Sequence, residues 1–389
     1  MKVRIFVAFA AALALAAAGA AEAWEYQAGD WLFGVSGTVN GFYVYRTVDD
    51  GAGHKTSNSA VENGLLPAWI NFQLSTQTEG WDVKAHFGFA PGINDKSSIV
   101  GLPEHADPLT GLSPFSQIDT RNAYLSLGNP SYGTFKFGRD IGLFGQTIIL
   151  SDMTLLGVGG NANAAVPFNT TFGMISHGYM YVGFQPQITW TAPAIGAANG
   201  FHFSAGIFQP NQFSGTETKT PGFQALADYD FKLDPVSGKV WGGFTTQHTN
   251  GVGGLTANGY ELGVKGGAAG FEGMLYGFQG RGLGASTIGA LYFLPQNNSG
   301  GRQNSSGWLA QGTYRLGATK FGVSYGENRD KDSPLCNGCD RKTPAVTLGV
   351  YHSFNKYVTL TGEYVHEQIK GDGPTTKIDT IALGAILFF

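Results

Sequence analysis

Charge is scarce in this chain. Asp, Glu, Lys and Arg make up 13% of its 389 residues, about half the share usual in a soluble protein. Long apolar runs are missing too. Beyond the first residues no stretch reaches the roughly 18 apolar residues that a membrane-crossing helix needs. Basic clusters are absent and the net charge is −4, which removes a nucleic-acid interface. The two cysteines form one pair, Cys336-Asn337-Gly338-Cys339, with no second CxxC and no nearby His pair. That excludes a four-ligand zinc site and leaves no metal expected. The GxG of Gly280-Arg281-Gly282 lies between strand-like segments with no helix to follow, so no phosphate loop or cofactor is expected.

Glycine and aromatics are abundant, with 59 Gly and 13% Phe, Trp and Tyr. Glycine without helical periodicity suits strands and turns. Lys2 and Arg4 open the chain, an apolar run follows from Ile5 to Ala18, and Ala21-Glu22-Ala23 offers small residues to a signal peptidase. Residues 1–23 are therefore expected to be an export signal removed before Trp24. Residues 24–389 would form one domain.

Alternation gives the fold class. Phe33, Val35, Val39, Tyr43 and Tyr45 share one face of a segment whose other face carries Ser36, Thr38 and Asn40. Ile70, Phe72 and Leu74 oppose Asn71, Gln73 and Ser75, and Val83, Ala85 and Phe87 oppose Asp82, Lys84 and His86. Val358, Leu360 and Tyr364 oppose Thr359, Thr361 and Glu363. Without a helix, only a closed barrel satisfies the backbone in lipid, and its strands alternate apolar-out and polar-in over about ten residues. Sixteen such segments run from 31–45 to 377–389. They are joined alternately by short turns, such as Thr78-Glu79-Gly80, and long segments, such as 46–66, 90–118, 141–184, 281–306 and 328–343. The expectation is an all-β, antiparallel transmembrane barrel of 16 strands, wide enough to leave an aqueous channel. Thr38, Asn40, Asn71, Gln73, Lys84, His86 and Glu363 become candidate pore-facing residues. Cys336 and Cys339, in a polar loop of an exported protein, are a candidate disulfide.

Ile381, Leu383, Ala385 and Leu387 alternate up to the terminal Phe389. This pattern resembles the closing-strand signal that outer-membrane barrels present to their assembly machinery. Thr120-Arg121-Asn122-Ala123-Tyr124-Leu125-Ser126-Leu127-Gly128 resembles the fourth strand of the general bacterial porins of Gram-negative outer membranes. Gly133-Thr134-Phe135-Lys136-Phe137-Gly138-Arg139-Asp140 resembles their fifth, and Gly37-Thr38-Val39-Asn40-Gly41 more weakly their first.

The resemblance implies a homotrimer in the outer membrane, in contact with its lipid and lipopolysaccharide, passing small hydrophilic solutes by passive diffusion. It places an inward-folded constriction loop at 141–184, where Ser151-Asp152-Met153 is similar to the family's acidic segment. It implies that Arg121 is a pore-wall arginine, Asp152 a loop carboxylate facing it, and Arg139 a brace at the base of the loop. Two departures point to a less charged, more apolar constriction: Thr38 stands where many of these porins carry a basic residue, and Thr154, Leu155 and Leu156 follow without a second carboxylate. Alternation and resemblance disagree over Arg121, which the first groups with outward Ala123, Leu125 and Leu127. A substrate-specific channel for sugars or small acids is the alternative function. A barrel enzyme or adhesin stands behind both, because no local motif brings a catalytic set together.

Overall fold

The computed structural model describes residues 24–93, 118–160, 170–193, 200–211, 216–251, 254–286, 291–292 and 294–389. The expected export signal at 1–23 lies outside the described residues. Twenty strands occur among the described residues. The first ten are β1 Trp24–Ala28, β2 Trp31–Asp49, β3 Lys55–Glu62, β4 Trp69–Thr78, β5 Trp81–Pro91, β6 Ile118–Asn129, β7 Gly133–Ile141, β8 Phe184–Thr191, β9 Phe201–Phe208 and β10 Thr216–Glu217. Then come β11 Gly222–Leu233, β12 Val236–His248, β13 Asn250–Gly251, β14 Thr256–Ala268, β15 Phe271–Arg281, β16 Asn304–Leu316, β17 Thr319–Ser333, β18 Cys339–Ser353, β19 Val358–Ile369 and β20 Thr376–Phe388.

Sixteen of these, β2, β4–β9, β11, β12 and β14–β20, pair antiparallel in sequence order and close when β20 returns to β2. β3 and β4 share one side of β2, against its second and first halves. β20 and β1 share the other side in the same way. β10 and β13 form a separate two-stranded ribbon. The hairpins Glu79-Gly80 and Ala269-Gly270 have positive φ at both residues, the twist that suits a two-residue turn between right-twisted strands.

The alternation is physical as well as sequential. Tyr260 and Leu262 are 60% and 66% exposed, while Glu261 between them is 5% exposed. Leu348 and Val350 are exposed, whereas Thr347 and Tyr351 are buried. Apolar side chains thus face outward, where lipid is the solvent, and polar ones face inward. No helix among the described residues is long and apolar enough to cross a membrane.

The interior is not all water. One apolar cluster joins Phe144, Met174, Ile175 and Tyr179 of segment 141–184 to Trp241, Tyr276, Phe278 and Leu309 of the wall. A second joins Met153, Leu156 and Val158 of that segment to Phe42, Tyr351, Ile386 and Phe388.

Candidate functional site

The described residues of segment 141–184, namely 141–160 and 170–184, are held by side chains reaching in from the strands. Gln224 of β11 accepts from Leu143 N (2.8 Å) and Phe144 N (3.0 Å). Both oxygens of Glu261 on β14 accept from Gly145 N at 3.0 Å. Gln311 of β16 accepts from Met153 N at 2.7 Å and donates to Ser151 O at 3.0 Å. Glu363 of β19 accepts from Val158 N and Gly159 N, both at 2.7 Å, and from the Tyr351 hydroxyl at 2.6 Å. These carboxylates are nearly inaccessible. Each is stabilised by the backbone N–H groups that it accepts from at these buried positions.

Gly157 shows how closely the segment lies against the wall, because a Cβ there would fall 2.1 Å from Glu363 Oε1. Inside the segment, a helical turn covers Gln146–Ile149 and a 3-10 turn covers Met153–Leu156. Asp152 caps the second. Its carboxylate accepts from Thr154 N (2.9 Å), Thr154 Oγ1 (2.7 Å), Met174 N (3.1 Å) and the Tyr179 hydroxyl (2.7 Å). It ties the two limbs of the segment together. Burial pushes its pKa up, against those four hydrogen bonds, which favour the anion.

Arg121 occupies a β-bulge. Gly88 pairs with Asn122 and Phe89 with Thr120, leaving Arg121 as the extra residue. A bulge breaks the two-residue period, so the outward parity of Ala123, Leu125 and Leu127 cannot be extended to it. Its guanidinium is buried, 3.1 Å from Asp119 and over the rings of Trp69 (5.6 Å) and Phe184 (5.1 Å). Arg139 pairs with Ala123 in register and donates to Thr120 O at 2.8 Å, just past the bulge. Arg121 and Asp152 therefore belong to two separate hydrogen-bond and ion-pair groups.

The seven candidate wall residues share inward parity but not the same surroundings. Thr38 donates to Pro67 O (2.9 Å) and Asn40 to Leu66 O (2.7 Å), holding the break between β3 and β4. Glu363 is taken up by segment 141–184. His86 links Asn71 (2.9 Å) to the Tyr124 hydroxyl (3.0 Å). Gln73 is exposed and Lys84 half-buried.

Sequence reasoning did not single out Gln224, Glu261 or Gln311. Gln224 and Glu261 sit between outward apolar neighbours and Gln311 follows Ala310, so their inward parity was readable, but their partners across the barrel were not. Cys336 and Cys339 are disulfide-bonded, with Cα atoms 5.4 Å apart. Among the described residues one His/Asp group has metal-like spacing, His202, Asp228 and Asp230. The Lys239 ammonium contacts both of its carboxylates, at 3.1 Å for Asp230.

The family model for Gram-negative porins matches residues 8–372. The chain belongs to the Gram-negative porin family. This porin is similar to the outer-membrane channel DcaP of Acinetobacter baumannii, with 13% identity over 94% of this chain and 99% of that one, TM-score 0.66. It is also similar to an anion-selective porin from Comamonas acidovorans, with 15% identity over 92% and 100%, TM-score 0.62. A third similar structure is the in-vitro folded OmpT of Vibrio cholerae in its trimer form, with 13% identity over 92% and 99%, TM-score 0.54. No curated protein matches the chain by sequence. The porin is an outer-membrane channel through which small solutes diffuse passively.

Proposed function

We propose that the aqueous path runs along the β4–β5 side of the barrel, past Gln73 and Lys84, and carries ions and small hydrophilic solutes. One observation carries this. Segment 141–184 is hydrogen-bonded to inward side chains of β11, β14, β16 and β19, whereas Gln73 stays solvent-accessible. Asp152 serves as the keystone of the constriction loop, and Arg121 and Arg139 hold the strand end from which that loop departs. The buried carboxylates are engaged in docking backbone, which supports a channel rather than a hydrolase. The mature protein is a homotrimer in this reading, supported by the trimer form among similar structures.

The test is conductance of the detergent-extracted protein in a planar lipid bilayer. Stable steps appearing in threes are expected. A folded, inserted protein without conductance overturns the proposal. A second reading, a channel selective for one solute class, is favoured by the apolar clusters inside the barrel. Small steps blocked by a single class of sugar or acid would support it.

A further inference from the structure

Between β15 and β16 a second segment, through its described residues 282–286 and 291–292, also turns into the barrel. Among its described residues Leu283 and Ala285 are fully buried, and Ser286, Leu291 and Tyr292 are at most 5% exposed. A connection lying in water over the rim would leave such apolar side chains wet. Asp330 of β17 has inward parity and is 0% exposed. It accepts from Ala285 N (2.9 Å), Ser286 N (2.7 Å) and the Ser286 hydroxyl (2.6 Å). The Tyr292 hydroxyl is hydrogen-bonded to Thr245 of β12.

The two segments meet. A Cβ on Gly259 would lie 3.0 Å from Leu283 of the second and 3.3 Å from Phe144 of the first. The Asn328 amide on β17 donates to Tyr179 O of the first segment (3.0 Å) and to Ala285 O of the second (2.8 Å). One side chain thus spans both, and it is 0% exposed.

We propose that the two segments, locked together through Asn328 and Asp330, jointly set the size limit for uncharged hydrophilic solutes. This rests on the diffusion-channel reading. Asn328 and Asp330 touch no solute. They are positioning residues, each satisfying groups that would otherwise hold the second segment away from the wall. Removing the Asn328 amide breaks the link between the segments and leaves the Ala285 carbonyl without that donor, while Tyr179 O keeps its bond from Ser176 N (3.0 Å). Removing the Asp330 carboxylate orphans two backbone N–H groups. Both losses favour release of the segment into water.

The experiment uses the full chain, reconstituted in liposomes, with a graded series of uncharged sugars from mono- to tetrasaccharide, and single-channel recording alongside. Asn328→Ala and Asp330→Ala should admit sugars that the unaltered protein excludes and should raise conductance. Asp330→Asn keeps one acceptor and should shift the limit by less. A role confined to stability would lower the unfolding temperature without moving the sugar limit. Folding is checked by heat-dependent gel mobility. If either alanine variant fails to fold, Ser286→Ala and Tyr292→Phe, each removing one hydroxyl, carry the same test. Folded variants with an unchanged sugar limit and conductance overturn the inference. An unaltered protein that passes neither sugar nor current overturns the channel reading itself.

Discussion

The two sides of the barrel interior solve different problems with the same alternating strands. On the β11–β19 side, inward polar residues meet backbone: Gln224, Glu261, Gln311 and Glu363 each accept from N–H groups of segment 141–184. On the β4–β5 side the same parity leaves Gln73 exposed and Lys84 half-buried. Inward parity therefore identifies a residue that avoids lipid, not one that meets solute. A docked carboxylate is costly to lose because its donors stay buried, whereas an exposed amide is replaced by water.

That contrast can be broken by substitution. Glu363→Ala orphans two backbone N–H groups and the Tyr351 hydroxyl, at about 1–3 kcal/mol for each buried group. A marked fall in the unfolding temperature in detergent is expected, with noisier single-channel currents. Gln73→Ala should change stability by no more than about 0.5 kcal/mol. Equal losses at the two positions would erase the distinction. Gly157→Ala should come next, at about 1–3 kcal/mol, because its methyl would overlap Glu363. An unfolding temperature as high as the unaltered protein's would show that the contact yields.

Selectivity sharpens the comparison. Lys84→Glu should move the reversal potential in a salt gradient toward cations, since a fixed charge counts most beside the aqueous path. Glu261→Gln, on the docked side, should move it less. The reverse order would put the path along β14. The smallest effect concerns Asp152. Burial raises its folded pKa above the unfolded value, so the folded chain holds that proton more tightly. Its contribution to stability is full below the unfolded pKa and declines as pH rises toward the folded one. Asp152→Asn should flatten that part of the unfolding temperature against pH. An unchanged slope would remove Asp152 as its source.

Much of the fold was legible because lipid forces a two-residue period that sequence displays directly. The segments read at 201–208 and 133–140 lie within a residue of β9 and β7. The strand at Lys55–Glu62 was not read, since its polar run, Lys55-Thr56-Ser57-Asn58-Ser59, lacks an apolar face and resembles a loop. The five residues of β1, Trp24–Ala28, were passed over beside the expected cleavage point. Of the site, the resemblance made legible only the expectation of an inner segment at 141–184. Its attachments were not, because Glu363 and Val158 are 205 residues apart in sequence and no local pattern encodes such a pairing. Arg121 was ambiguous for a related reason: a bulge shifts the phase of alternation, and the residues around it carry no signature of the shift.

The seam along β2 has a consequence for biogenesis. β1 and β20 lie end to end on the same edge of β2, and Phe389 exchanges backbone hydrogen bonds with Gly37, at 2.7 and 3.0 Å. The Trp24 and Phe389 rings stand 6.4 Å apart. The cylinder is thus zipped shut by β20 against β2, strands far apart in sequence, a pairing of large loop-closure entropy. Until β20 arrives, β2 presents an open edge that any other strand could occupy. A barrel that fails to seat β20 would remain an adhesive sheet rather than become a smaller pore.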